Sequence, residues 1–323
     1  MSHYFAEAYQ PDVFELHYHF NDNSHFIDAM VRHKCEAEML YMVKEIMSTL
    51  ELSFDIAIEP PENGGFIDRW RWLGQNKDQV QLITPYVLLL LMPLISIIPK
   101  PTTKLEKLQQ ESTTLDIEEK RLKIEALRKS ILNREADTSA LTAHFENDHK
   151  IIKHRSNFYN TLKGYDKIDK ISVVLLSNKT PVANEATVNK ADFDRFIVKS
   201  DELPKITVSK AIIEIIAPVL KKSKFKWKGV YEGQTIDFSM SDTKFKSRVS
   251  KRLESFESEC YIECTLEIKR KINDLGEVQN VSYKVITVTG RVQDSKIIET
   301  EQGKRLRHEQ QIEETVRNQT TLF

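Results

Sequence analysis

Between Val80 and Ile98 the chain runs VQLITPYVLLLLMPLISII without a single charged side chain. A helix over these residues has no polar stripe to turn toward water, so it must lie in lipid or be enclosed by protein on all sides. About 19 residues at ~1.5 Å each cover roughly 28 Å, just short of the ~30 Å hydrocarbon core of a bilayer. Pro85 and Pro93 predict a kink, because each removes a helix hydrogen bond and crowds the preceding turn. Two environments stay open. One is a membrane, with Tyr86, Leu88, Leu89, Leu90, Leu91, Pro93 and Ile95 as contact residues; the other is the buried core of an oligomer. Arg69, Arg71 and Lys77 ahead of the stretch balance Lys100, Lys104 and Lys107 behind it, so the positive-inside rule gives no orientation.

Ahead of this stretch, residues 13–20 alternate, with Phe14, Leu16, Tyr18 and Phe20 on one face and Glu15, His17 and His19 on the other, which predicts a half-buried strand. Apolar residues at helical spacing from about His25 to Leu50 predict a helix, and Leu52, Phe54, Ile56 and Ile58 predict a second strand. The order reads as a βαβ unit over 1–75 with parallel strands, too small to enclose a core and so completed by another copy. The segment FIDRWRWLG, with Trp70 beside Arg69 and Arg71, reads as a short amphipathic helix suited to a membrane interface or to packing on the small domain.

Past Pro101 the composition turns to charged helix formers. Leu108, Leu115 and Leu122 recur every seven residues, as do Ile117, Ile124 and Ile131, predicting a helical bundle or coiled coil over 102–164. A β-rich domain is expected over 165–292. Its opening strand is ISVVLL, a hairpin turns at Glu232-Gly233, and a second hairpin turns between Asp274 and Glu277. The segment AIIEIIAPVL is too apolar to assign by period, and residues 293–323 form a polar tail, either helical or disordered. The predicted class is α+β: an N-terminal βαβ unit, an apolar helix at 80–99, long central helices and an antiparallel C-terminal sheet.

Few function classes are excluded outright. Lys and Arg number 47 against 48 Asp and Glu, so bulk charge does not mark a nucleic-acid binder and a local patch is needed. No GxSxG, Walker, GxGxxG or HExxH motif is present, which argues against familiar hydrolases, NTPases and dinucleotide enzymes. Cys35, Cys260 and Cys264 are too few for a disulfide framework and suit a reducing compartment. Cys260 and Cys264, four apart on one strand, lie about 13 Å apart and cannot share a zinc ion; they read as core residues. HYHFNDNSH places His17 and His19 on one strand face with His25 just beyond, a candidate metal site that competes with ordinary surface histidines. Lys222, Lys224, Lys226 and Lys228, with Lys244, Lys246 and Arg248 downstream, form a candidate anion-binding face, against the plainer reading of a solvated strand. No cofactor is expected.

The run IIEIIAPVLKKSKFKWKGVYEGQTIDFSM, following an apolar run and an EEKRLKIEAL helix, resembles uncharacterised bacterial proteins of mobile and phage-defence gene clusters. The resemblance implies a membrane-linked role in defence. The three cysteines suit a cytoplasmic C-terminal domain on a chain held in the inner membrane; otherwise the chain is cytoplasmic. The first functional expectation is therefore an oligomeric, membrane-associated interaction or effector protein whose partners are its own copies, lipid, and a nucleic acid or protein at the C-terminal domain. The alternatives are a soluble oligomer that binds nucleic acid, and an enzyme with an unfamiliar site at the histidine-rich turn.

Overall fold

The alternation at the N-terminus does form a strand, β1 (Val13–Phe20), and it becomes the centre of a sheet. The computed structural model describes residues 11–22, 26–52, 55–59, 66–73, 77–99, 114–132, 138–220, 225–254, 256, 260–293 and 296–320. The chain is mixed α/β and divides into two units: Met1–Asp201 with Ile272–Glu277, and Glu202–Lys271 with Val278–Phe323.

In the first unit β1 is flanked on both sides by antiparallel neighbours, β3 (Phe66–Leu73) and β4 (Ile168–Ser177). β2 (Asp55–Glu59) pairs outside β3, while β5 (Thr180–Pro181) and β6 (Ala186–Asn189) pair with β4. Register then sorts the side chains. Phe14 lies opposite Trp70 and Leu175, Leu16 opposite Asp68 and Val173, and Tyr18 opposite Phe66 and Ile171. The apolar members of that face join one core with helices α1 (Ala29–Thr49) and α5 (His149–Lys163).

This arrangement corrects the βαβ expectation. β1 and β2 do run parallel, since each is antiparallel to β3, but β3 lies between them, a split βαβ arrangement. The segment read as an amphipathic helix, FIDRWRWL, is this inserted strand; its period of two puts Trp70 in the core and Arg69 on the opposite face. The strand placed at the head of the C-terminal domain is β4 of this N-terminal sheet. Later elements of the same chain join the core of this unit.

The apolar stretch forms α2 (Lys77–Ser96), with Pro85 and Pro93 inside it. Among the described residues no helix is long and apolar enough to cross a membrane. Of the proposed lipid contacts, Leu88, Leu90, Leu91 and Ile95 are fully buried in the core of the first unit, Tyr86 is buried there too, and Leu89 and Pro93 are half-buried. Protein therefore supplies the enclosure, and the expectation of a transmembrane helix here is overturned. The helix end explains how. A last-turn carbonyl normally waits for an N–H four residues on, but for Ile95 that residue is Pro99, which has none. Tyr159 of α5 donates its hydroxyl to Ile95 O at 2.6 Å, and buried Arg155 donates to Leu94 O at 3.1 Å. A guanidinium also suits the negative end of the helix dipole.

The central helices are α3 (Thr114–Leu132), α4 (Thr138–Phe145) and α5, and they correct the coiled-coil expectation. Ile131, Leu141, Phe145, Ile151 and Phe158 join the same core as the sheet, so these helices fold back on it rather than pairing along a heptad seam. Leu108 lies outside the described residues. Between α1 and α5 runs a polar seam: His154 bonds Glu38 at 2.7 Å and stacks on Tyr41 at 4.8 Å, and Lys150 meets Glu45 at 2.8 Å.

The second unit is built on a five-stranded barrel. β7 (Glu202–Ala217) takes up the stretch that periodicity left unassigned. It is followed by β8 (Trp227–Tyr231), β9 (Gln234–Met240), α6 (Thr243–Ser250), β10 (Tyr261–Ile272) and β11 (Val278–Gln293). The order is β10-β7-β8-β9-β11, and pairing of β10 with β11 closes it. β9 and β11 are parallel, while β10–β7, β7–β8 and β8–β9 are antiparallel. Ile213, Trp227, Phe238, Phe245, Ile262, Cys264 and Leu266 fill the interior. Gly229 is required where β8 crosses β7, since a Cβ there would stand 2.5 Å from Glu214 O and 2.8 Å from Ile213. β12 (Lys296–Glu299) pairs with β11, and the polar tail forms α7 (Glu301–Thr320). Thr300 starts that helix by accepting from Gly303 N at 3.0 Å.

Candidate functional site

Two groups of chemistry-bearing side chains stand out, one in each unit. On the face of the first sheet that points away from α1, β1 carries Glu15, His17 and His19. Glu15 is only 5 % exposed and forms an ion pair with Arg69 on the neighbouring strand. Because a carboxylate only accepts, His17 donates from Nε2 to Glu15 at 3.0 Å, which leaves Nδ1 of the neutral ring with its lone pair. His19 Nε2 meets Ser172 Oγ of β4 at 2.8 Å, and the two imidazole centroids are 6.2 Å apart. Burial, then the charge of Lys170, then His17, lower the pKa of His19, favouring the neutral ring.

Between β5 and β6 the chain brings in Glu185, an exposed residue. Donor atoms of His17, His19 and Glu185 lie within 4.8 Å of one another. His17 and His19 thus converge, with Glu185 as the third group, and His25 lies outside the described residues. Glu185 was missed because nothing in the run PVANEATV marks it, and it reaches the histidines only through the pairing of β6 with β4 beside β1.

In the second unit the candidate cations lie at the start of β8 and on or just after α6. Lys226 and Lys228 are exposed at the start of β8; Lys222 and Lys224 lie outside the described residues. Trp227, buried between them, contacts Phe245 of α6 at 6.2 Å and Phe256 at 5.7 Å, so the start of β8 and α6 share one patch of core. α6 begins at Asp242, which accepts from Phe245 N, and turns Phe245 and Val249 inward. That leaves Lys244 exposed and Lys246 half-buried, with exposed Lys251 and Arg252 just beyond, while Arg248 is ion-paired to Glu254. Phe225 precedes the strand and is 77 % exposed, whereas Trp227 is buried. Cys260 and Cys264 are buried as core residues; burial pushes the Cys264 thiol up to about 12, so it is neither nucleophile nor ready ligand.

The near-neutral whole conceals a division of charge. The second unit holds 22 Lys and Arg against 16 Asp and Glu, a formal +6, and the first 25 against 32, a formal −7. No family model, curated protein or solved structure matches the chain. Function has to be argued from these two groups of residues.

Proposed function

We propose that the barrel binds single-stranded nucleic acid through its exposed cations. The observation that carries this reading is the set of exposed cations on the two segments that the Trp227–Phe245 contact joins, Lys226 and Lys228 on one and Lys244, Lys251 and Arg252 on the other, in the unit with the formal +6. Strand order supports it: five strands closed as a Greek key, the third parallel to the fifth and a helix between the third and fourth, is the connectivity of OB-folds, which commonly bind oligonucleotides. Fold alone does not assign function, so the cations must carry the argument. A flexible single strand follows exposed lysines of this kind with its phosphates. The phage-defence role implied by resemblance adds no residue to this reading.

The test is fluorescence anisotropy of a labelled oligothymidylate titrated with the full chain at several salt concentrations. Five phosphate contacts predict a slope of log K against log salt of about −3.5, at ~0.7 per phosphate for single strands. Replacing Lys226, Lys244 and Lys251 together by Gln should flatten the slope by about 2 and leave the fold intact, since all three are exposed. No binding at low salt, or a variant that binds as wild type does, refutes the proposal.

A further inference from the structure

We propose that His17, His19 and Glu185 form a zinc site on the open face of the first sheet, with one coordination position left for water or an incoming ligand. Two imidazole nitrogens and one carboxylate are a common catalytic ligand set for zinc, and three protein ligands leave the fourth position free. Bond lengths of ~2.0–2.2 Å put tetrahedral donors about 3.5 Å apart. The present span of 4.8 Å is closed by moving Glu185, whose two-carbon stem rides on an exposed loop, while the strand fixes the histidines.

What distinguishes this cluster from surface histidines is the layer beneath it. Metal-bound imidazoles usually give their second nitrogen to a carboxylate or another polar group, which fixes the ring and raises its basicity. Here Glu15, buried and held by Arg69, takes the Nε2 proton of His17, and the hydroxyl of fully buried Ser172 is hydrogen-bonded to Nε2 of His19. Both second-layer groups come from the sheet interior rather than from solvent. This inference is independent of the barrel: either can fail without touching the other.

Calorimetric titration of the chelator-treated full chain with zinc chloride tests it. One zinc per chain is expected. Glu185→Ala and His19→Ala should each weaken binding by more than the 10- to 100-fold typical of an outer-layer change, and Ser172→Ala should fall within that range. His308→Ala, exposed on α7, should bind as wild type does. Glu185 is exposed, so its variant folds, and zinc binding by Glu185→Ala at wild-type affinity overturns the proposal, as does the absence of stoichiometric binding. Cobalt substitution gives a second reading: the intense visible band of a four-coordinate ion is expected, and a weak six-coordinate spectrum overturns the assignment.

Discussion

Tyr159→Phe removes one oxygen atom and little else. The ring is stacked on Phe196 at 4.1 Å and packs against Phe158 and Phe193, contacts that phenylalanine keeps. What goes is the donor to Ile95 O, at 2.6 Å in a fully buried setting. Since Pro99 has no N–H to replace it and Arg155 bonds Leu94 O rather than Ile95 O, the carbonyl loses its donor. A buried polar group stranded in this way costs about 1–3 kcal/mol. For a unit of this size each kcal/mol lowers the melting temperature by roughly 2–4 °C, so a fall of several degrees is expected in the first unit's transition. Circular dichroism melts and urea titrations on both proteins measure it. A change below about 0.5 kcal/mol, with the same urea dependence, would mean that Ile95 O is satisfied some other way. The account of how α2 ends inside protein would then be wrong.

Asp68 is buried on the core face and bound by Arg32 at 3.0 Å; burial, partly offset by Arg32, raises its pKa above 3.8. The folded protein therefore holds this proton more tightly than the unfolded chain, so stability falls as pH climbs from the unfolded pKa through the folded one. Urea midpoints across that range should decline for the wild type, and the Asp68→Asn variant should lack that part of the decline; parallel profiles would contradict the assignment. Gly229→Ala places a methyl 2.5 Å from Glu214 O, a backbone atom that can move only if β7 and β8 part. Overpacking of this kind costs about 1–3 kcal/mol or more, and calorimetry should find the second unit's transition lowered with the first unchanged; a melt like wild type's would show that the crossing is looser than described.

Local periods in the sequence were read correctly where neighbours along the chain decide the outcome. β1 and the Glu232-Gly233 hairpin follow from alternation and from a turn residue. β3 was not legible, because Asp68 sits among its core-facing positions and is tolerated only through Arg32 on α1. The choice between lipid and protein around Leu90 was equally hidden. An all-round apolar helix reads the same in both, and the groups that settle it, Arg155 and Tyr159, lie about 60 residues downstream. Of the candidate metal site, the two histidines were visible and the third donor was not, since Glu185 joins them through strand pairing alone.

The position of β4 in the sheet sets a timetable for synthesis. Leu90 is buried in a core that includes Val173 and Leu175, yet it leaves the ribosome about 85 residues before them. At ~5–20 residues per second that is roughly 4–17 s during which the uncharged run from Tyr86 to Ile95 has no final cover. Throughout that interval the nascent chain displays an uncharged run of ten residues, an apolar signal too short to span a bilayer yet open to unwanted contacts. Only the arrival of the closing strand, bringing Arg155 and Tyr159 just ahead of it, withdraws that signal and commits the segment to the protein interior.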